Sequence, residues 1–442
     1  MHARRIALIS EHASPLAQSG SVDCGGQNVY VANVARQLAR RGWLVDVYSR
    51  RESAGQSIVA CWLPGIRVIS VPVGPAQRVP KEELLPHIDD FAAWTRRFIT
   101  AQSLSYDVVH ANFFMSAWIG LQLRRSFGIP LVVTFHALGR VRRAHQREAD
   151  GFPDTRFAME QAAMDEADII VAECPEDLAD MRRYYRLPRR RVRIVPCGFD
   201  SSEFRPHSRL QSRRRLGMPA EEFSVLQLGR MVPRKGVDTV AESIAVLRNR
   251  FGIHASLYVV GGNTRKPDPV ATPEIARLAR LADELGILEQ VRFVGRRNRD
   301  ELAYYYSAAN VFVTTPWYEP FGITPVEAMA CARPVVGADV GGIRFSVIDG
   351  KTGFLVPPRD PESVARCLAR LHRNPALAGA MGLAGHARAE EKFTWSIVAD
   401  QLDKLYVAVA RPARVDAVNP GAIVPTDAAA APRLPVLLTM GS

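Results

Sequence analysis

The feature that most limits what this chain can fold into is a strand–helix alternation that runs once, breaks off and starts again. Apolar, β-rich runs at 5–10, 44–49, 66–73, 108–111, 131–135, 169–172 and 192–195 are separated by stretches of helical periodicity such as 28–40, 82–103 and 175–185. A second series has runs at 224–228, 255–260, 291–294, 311–314 and 334–336, with helical stretches at 237–250, 273–285, 299–308 and 325–330. Near-continuous apolar strands alternating with helices belong to parallel sheets, because the crossover helices cover both sheet faces. The expected fold class is α/β: two doubly wound, Rossmann-like parallel sheets facing each other across a cleft. Ligands of such sheets bind at the carboxyl ends of the strands, so functional residues are expected just after strands in both halves.

The break at 200–217 is polar and arginine-rich. It divides the chain into an N-terminal domain (1–204) and a C-terminal domain (205–392). Residues 393–410 are expected to form a helix that returns to the N-terminal domain. The Ala/Pro-rich segment 411–442 lacks periodicity and is read as a tail without fixed structure. The length of 442 residues suits two domains. No apolar run reaches the ~18 residues of a membrane-spanning helix. The first residues enter a strand-like run without the pattern of a signal peptide, so a cytoplasmic location is expected. Six cysteines at 24, 61, 174, 197, 331 and 367 form no C-x-x-C pair. That argues for a reducing compartment and against a structural metal site.

The formal net charge is +12. Such a surface favours anionic partners. The basic residues are nearly all arginine; only six lysines occur, at 81, 235, 266, 351, 392 and 404. The run Arg182, Arg183, Arg186, Arg189, Arg190, Arg191 and Arg193 reads either as a solvated face or as a contact with anionic membrane. It lacks the interleaved aromatics suited to base stacking, so nucleic acid is not expected.

Three segments carry chemistry. Asp23-Cys24-Gly25-Gly26-Gln27-Asn28 precedes a helical stretch; paired glycines allow close backbone approach, and helix-start amides suit an anion. The same residues also fit a turn followed by an Asn-capped helix. Leu228-Gly229-Arg230-Met231-Val232-Pro233-Arg234-Lys235-Gly236 puts two cations after a strand. They suit a diphosphate, or a solvated loop. In Glu319-Pro320-Phe321-Gly322-Ile323-Thr324-Pro325-Val326-Glu327, Thr324 fits an N-cap, Pro325 the first helical position and Glu327 the third, a capping box. That leaves Glu319 without a structural explanation. A P-loop, a dinucleotide fingerprint, an Asp-x-Asp, an H-E-x-x-H and a G-x-S-x-G are all absent. A diphosphate site made of Arg, Lys and helix-start amides needs no metal, and none is expected.

These stretches together resemble the family 4 retaining glycosyltransferases of two-domain GT-B type, over about residues 5–405. The most specific signature is Glu319 and Glu327 with seven residues between them, Phe321-Gly322 among these, combined with Gly229-Arg230 and Lys235-Gly236. The N-terminal half is similar to sucrose-phosphate synthases and to the inositol-phosphate N-acetylglucosaminyltransferases of mycothiol synthesis, through 23–31, 81–86 and 134–140.

The resemblance implies roles. Arg230 and Lys235 would hold the donor diphosphate, Glu327 the ribose hydroxyls and Glu319 the donor sugar. Gly322 with Phe321, Ile323 and Thr324 would line the donor, and Gly25 and Gly26 would approach it from the other domain. His136 would reach the donor sugar near the reacting carbon. Asn28, Lys81, Thr134 and Arg156 match acceptor-side positions.

Both branches carry a His-x-His-Tyr stretch where this chain has His110-Ala111-Asn112-Phe113, so Phe113 lacks a hydroxyl that helps hold a phosphorylated acceptor. The implied reaction moves a hexose, from a UDP-sugar in preference to a GDP-sugar, to a hydroxyl of a sugar, sugar phosphate or polyol. The anomeric configuration is retained and no cofactor is used. With no carboxylate evident near His136, front-face attack is expected. A sugar-nucleotide epimerase and a basic membrane-surface protein are the alternative readings.

Overall fold

The computed structural model describes residues 3–16, 25–188 and 191–410. The first sheet comprises β1 (Arg5–Ile9), β2 (Leu44–Arg50), β3 (Val59–Leu63), β4 (Ile66–Val71), β5 (Val108–Asn112), β6 (Leu131–Thr134), β7 (Ile169–Ala172) and β8 (Val192–Ile194). Its order is β3-β4-β2-β1-β5-β6-β7-β8. The second comprises β9 (Ser224–Leu228), β10 (Ser256–Val260), β11 (Val291–Gly295), β12 (Val311–Thr314), β13 (Val335–Ala338) and β14 (Gly353–Val356), in the order β11-β10-β9-β12-β13-β14. Every pairing is parallel except the β3–β4 hairpin. In each sheet the chain starts in the middle, winds outward to one side, then returns to the other side of its first strand. The two switch points, β1/β5 and β9/β12, are where a crevice opens at the carboxyl ends.

The two alternating halves are the expected ones, with local differences. β3 was not expected: it is an antiparallel edge strand, reached through a Pro64-Gly65 turn in which Gly65 has φ +78°. β14, an edge strand of the second sheet, was likewise not expected. The expected helix at 82–103 is two 3₁₀ turns, Lys81–Glu83 and Leu85–His87, followed by the α-helix Ile88–Ala101. Pro86 interrupts the backbone donors there. The polar break at 200–217 contains the helix Arg209–Leu216, whose buried Arg213 donates to Ala308 O, Ser224 Oγ and Asn310 Oδ1. The segment 411–442 lies outside the described residues, as do Asp23 and Cys24.

Helices of the second half start as their sequences dictate. Pro361 and Pro375 occupy first-turn positions behind Asp360 and Asn374, whose side chains accept from the Ser363 and Leu377 amides. The last helix, Trp395–Val409, lies on the first, Gly26–Arg40. One apolar cluster joins Tyr30, Val34 and Leu38 of the first helix to Trp395, Val398 and Leu402 of the last. It continues to Phe321 and Met329 of the second domain. Each fully buried side chain of valine or leucine size there contributes about 2 kcal/mol. Polar contacts fix the register: Trp43 Nε1 donates to Asp403 at 2.7 Å, and Arg41 pairs with Asp400 at 2.6 Å.

Candidate active site

In the second domain, the loop after β9 carries Gly229 and Arg230 and ends in the 3₁₀ turn Pro233–Lys235. Gly236 follows at φ +66°, and a Cβ there would lie 1.9 Å from Thr315 O. Only glycine lets this loop pack so closely against the one after β12. Thr315 Oγ1 donates to Gly236 O at 2.7 Å, and Trp317 N donates to Arg234 O at 3.0 Å. On the far side, Gly342 N donates to Glu319 O at 3.1 Å, and a Cβ on Gly341 would lie 1.9 Å from that same oxygen. The Glu319 loop is thus clamped between two backbone approaches.

Clamping brings Lys235 Nζ onto Glu319 Oε2 as a close ion pair. Arg234 Nη1 stands 3.8 Å from the same oxygen. Burial pushes the Lys235 ammonium down to about 8; Glu319 opposes that shift, while Arg234 and Arg230 reinforce it. Burial acts on Glu319 in the opposite sense, but Lys235, Arg234 and Arg230 overcome it and hold the carboxyl below its ordinary range. The result is a group of three cations around one carboxylate, a net positive site at a strand's carboxyl end.

The sequence-level capping box does not form. Gly322, at φ +88°, is the N-cap of the helix Ile323–Ala330, so Thr324 and Pro325 fall within its first turn and Glu327 deeper. Gly322 takes the cap because a left-handed φ there turns the clamped loop into the helix. Glu327 points instead at the helix Arg299–Ala308, pairing with Arg299 Nη2 at 3.0 Å and accepting from Tyr306 OH at 3.1 Å. It is 3% exposed, and burial raises its carboxyl above the usual range despite Arg299. Phe321 is buried beside Phe393, and Ile323 faces the other domain.

In the first domain, the helix Gly26–Arg40 begins two residues earlier than its periodicity suggested. Asn28 does not cap it from outside; its Oδ1 accepts from Gly25 N at 3.1 Å, and its Nδ2 donates to Ser14 O at 3.1 Å. A Cβ on Gly26 would lie 3.5 Å from Ile323 Cδ1, so the glycine pair and the start of the helix Ile323–Ala330 meet across the cleft. Two further contacts cross it: Cys174 Sγ donates to Pro320 O at 3.3 Å, and the His145 ring stacks on Tyr318 at 4.8 Å.

His136 follows β6 at φ +58°, in a tight turn closed by Ala137 N donating to Phe135 O at 2.6 Å. Such a backbone is strained and persists only where its surroundings enforce it. They do so here. Nδ1 lies 2.7 Å from Glu173 Oε1 and Nε2 lies 3.0 Å from Asn112 Oδ1, while Tyr30 packs edge-on at 4.8 Å. Glu173 corrects the expectation that no carboxylate stands near His136. It is the first residue after β7, and its position after a strand was the one signal that could have flagged it.

The other expected acceptor-side residues are mostly sealed. Thr134 Oγ1 bonds to His110 Nε2 at 2.8 Å, and His110 Nδ1 bonds to Tyr406 OH of the last helix at 2.7 Å. Burial, reinforced by His136, pushes His110 down to about 3, so it is neutral. Arg156 is fully buried among Phe113, Phe114 and Phe152 at 4.6–5.0 Å and bonds to Glu160 at 2.8 Å. Phe113 itself is in the core. Lys81 is partly exposed, with Nζ 3.7 Å from Glu82.

Residues 24–203 match the family model described as Glycosyltransferase Family 4, and residues 208–388 match Glycosyl transferases group 1. The chain is 36% identical over 406 residues to the D-inositol 3-phosphate glycosyltransferase of Corynebacterium jeikeium, covering 91% of this chain and 96% of that protein. The chain belongs to the family 4 glycosyltransferases. A second relative, the D-inositol 3-phosphate glycosyltransferase of Geodermatophilus obscurus, is 36% identical over 417 residues, covering 92% of this glycosyltransferase and 90% of its own length. Among solved structures, the sucrose-phosphate synthase of Thermosynechococcus elongatus superposes with a TM-score of 0.84 at 34% identity, covering 92% of this chain and 99% of that one.

The GT-B fold and glycosyltransferase activity follow from these matches, and the epimerase and membrane-surface readings are set aside. No helix among the described residues is long and apolar enough to cross a membrane. Of the arginine run, Arg183 and Arg186 line a groove of about 640 Å³ with Arg140, Phe157 and Tyr185, and Arg189 and Arg190 lie outside the described residues.

Proposed function

We propose that this glycosyltransferase moves a hexose from a nucleotide diphosphate sugar, a UDP-sugar before a GDP-sugar, to a hydroxyl of a sugar, sugar phosphate or polyol, with retention and without a metal. The observation that carries the reading is the pairing across the cleft: Gly26 against Ile323, with the Lys235–Glu319 pair on the neighbouring loop. Diphosphate charge there is met by Arg230, Lys235 and helix-start amides from Gly322 onward. Glu319 stands where a carboxylate can accept from sugar hydroxyls, and Lys235 can exchange that carboxylate for the diphosphate.

In the transfer, the bond from the anomeric carbon to the departing phosphate oxygen breaks. A bond to the acceptor oxygen forms on the same face, and the acceptor's proton passes to the departing phosphate. Negative charge grows on the phosphate as the bond breaks, so a fixed cation favours the transition state over the ground state. The names of the relatives and the match of Lys81 to an acceptor-side position support a phosphorylated cyclic polyol among the candidate acceptors. Arg156 is closed off among Phe113 and Phe152, so an acceptor phosphate reaching it requires those rings to move, and Thr134 is buried with its hydroxyl on His110.

The experiment is a donor and acceptor matrix. Release of UDP, GDP or ADP is measured from each nucleotide sugar, with inositol, inositol phosphate, hexose and hexose phosphate as acceptors. Acceptor-dependent UDP release with a retained product is the expected result. Release that ignores every acceptor, or an inverted product, refutes the reading.

A further inference from the structure

His136 is held at both ring nitrogens, and the partners decide what each nitrogen is. Asn112 Nδ2 faces two carbonyl oxygens, Ile9 O and His110 O, each at 3.4 Å. Turning the amide over would set Oδ1 against those two oxygens, so Oδ1 is the atom at His136 Nε2. An amide oxygen only accepts, so Nε2 donates. At the other nitrogen, Glu173 Oε1 also receives Cys197 Sγ–H at 3.1 Å, so a single oxygen serves two donors. A contact of 2.7 Å between Glu173 Oε1 and Nδ1 needs one proton between them, and an imidazole is a stronger base than a carboxylate, so that proton sits on the ring and Nδ1 donates as well.

The remaining neighbours agree. His110, behind the ring, is neutral. Asp177 accepts from Glu173 N at 2.9 Å, and burial together with the Glu173 charge pushes it up to about 8. Among the described residues, Glu173 is the one acidic side chain bonded to the ring. Tyr30 presents only its ring to His136.

We propose that Glu173 and Asn112 are positioning residues that hold the His136 ring with a proton on each nitrogen, so that in sugar transfer the ring acts as a hydrogen-bond donor and local cation and not as a base. A ring so held has no lone pair for the acceptor hydroxyl's proton. The strained turn at His136 fits this role, because the Glu173 and Asn112 bonds fix the ring against the backbone that carries it. The inference deepens the transfer reading above and rests on it for the ring's use in catalysis, but the protonation pattern is a property of the free enzyme.

The test is nitrogen NMR of histidine-labelled enzyme at neutral pH without substrate, with the His136 signals assigned by their loss in His136→Gln. Two protonated ring nitrogens are expected, and one bare nitrogen overturns the proposal. Glu173→Gln keeps the shape and removes the charge. It is expected to leave one protonated nitrogen and to lower kcat on the order of 10²-fold, with KM for the donor little changed. Unchanged kcat in a folded Glu173→Gln sample also overturns it. Should that variant fail to fold, the wild-type spectrum still decides. So does Asn112→Asp, which keeps an acceptor oxygen at Nε2 and is expected to retain both ring protons; a bare nitrogen there refutes the assignment. The spectra need no donor, so they stand or fall apart from the choice of sugar nucleotide.

Discussion

The two faces of the cleft are built from the same kind of sheet and do opposite things with charge. On the second domain's side, charge is gathered: Lys235 and Arg234 stand against Glu319, and Arg230 adds its field, on loops locked by glycine contacts. On the first domain's side, polar groups are buried in hydrogen-bonded chains, Glu173–His136–Asn112 and Thr134–His110–Tyr406, which run back into the core and the last helix. The difference teaches a division of labour. In the transfer proposed above, one face would meet a highly charged leaving group with excess cation, and the other would fix geometry with few net charges, as suits a neutral sugar and an acceptor hydroxyl.

The sharpest way to break this comparison is to remove the cation. Lys235→Ala is expected to lower turnover on the order of 10²-fold or more, while Lys235→Arg restores only part, since a planar fork replaces a compact ammonium. Steady-state kinetics with the matched donor and acceptor measure both. A pH profile sharpens the point. With Lys235 held near 8, its charge is lost as pH rises through that value. The free enzyme's kcat/KM should therefore fall above about pH 8, and the fall should vanish in Lys235→Arg. A Lys235→Ala enzyme with wild-type kinetics would remove the charged face from the mechanism.

Glu319→Ala ranks next. It should cut transfer on the order of tenfold and leave binding of free nucleoside diphosphate nearly unchanged. Because the Glu319 charge raises the Lys235 value, its loss should move the alkaline limb to lower pH. A limb that stays in place, read from the same profile, would show that the two groups are not coupled.

A smaller effect, and on stability alone, is expected on the other face. Tyr406→Phe leaves His110 Nδ1 buried without its partner and should cost about 1–2 kcal/mol in denaturant unfolding, with kcat unchanged. His110 adds a pH dependence of known sign. Its folded-state value of about 3 lies below the ordinary 6.5, so the unfolded chain binds the extra proton, and stability should fall as pH drops from about 6.5 toward 3. His110→Asn should flatten that slope. The smallest expected effect is none: activity should survive EDTA, and loss restored by Mg²⁺ or Mn²⁺ would mean the cations do not carry the diphosphate charge alone.

What the sequence determined by itself is what local pattern encodes. Strand and helix periods set two doubly wound sheets, and each sheet's winding puts its switch point at the carboxyl end of its first strand. Residues in the loops that follow strands, such as Arg230, Lys235, Glu319 and His136, were therefore legible as site candidates, and the motif resemblance supplied their family. Edge strands β3 and β14 were not legible, because a short strand is defined by its pairing partner and not by its own residues. Nor was the direction of Glu327. Its spacing from Thr324 matched a capping box, but the close packing of Gly341 and Gly342 on the Glu319 loop makes Gly322 the N-cap, and Arg299 claims the carboxylate. Asn112 ends β5 and Glu173 follows β7, and their meeting at His136 depends on β5, β6 and β7 lying side by side. That adjacency is a through-space fact of the sheet. No spacing along the chain records it, because the helices between strands can vary in length without changing which strand ends are neighbours.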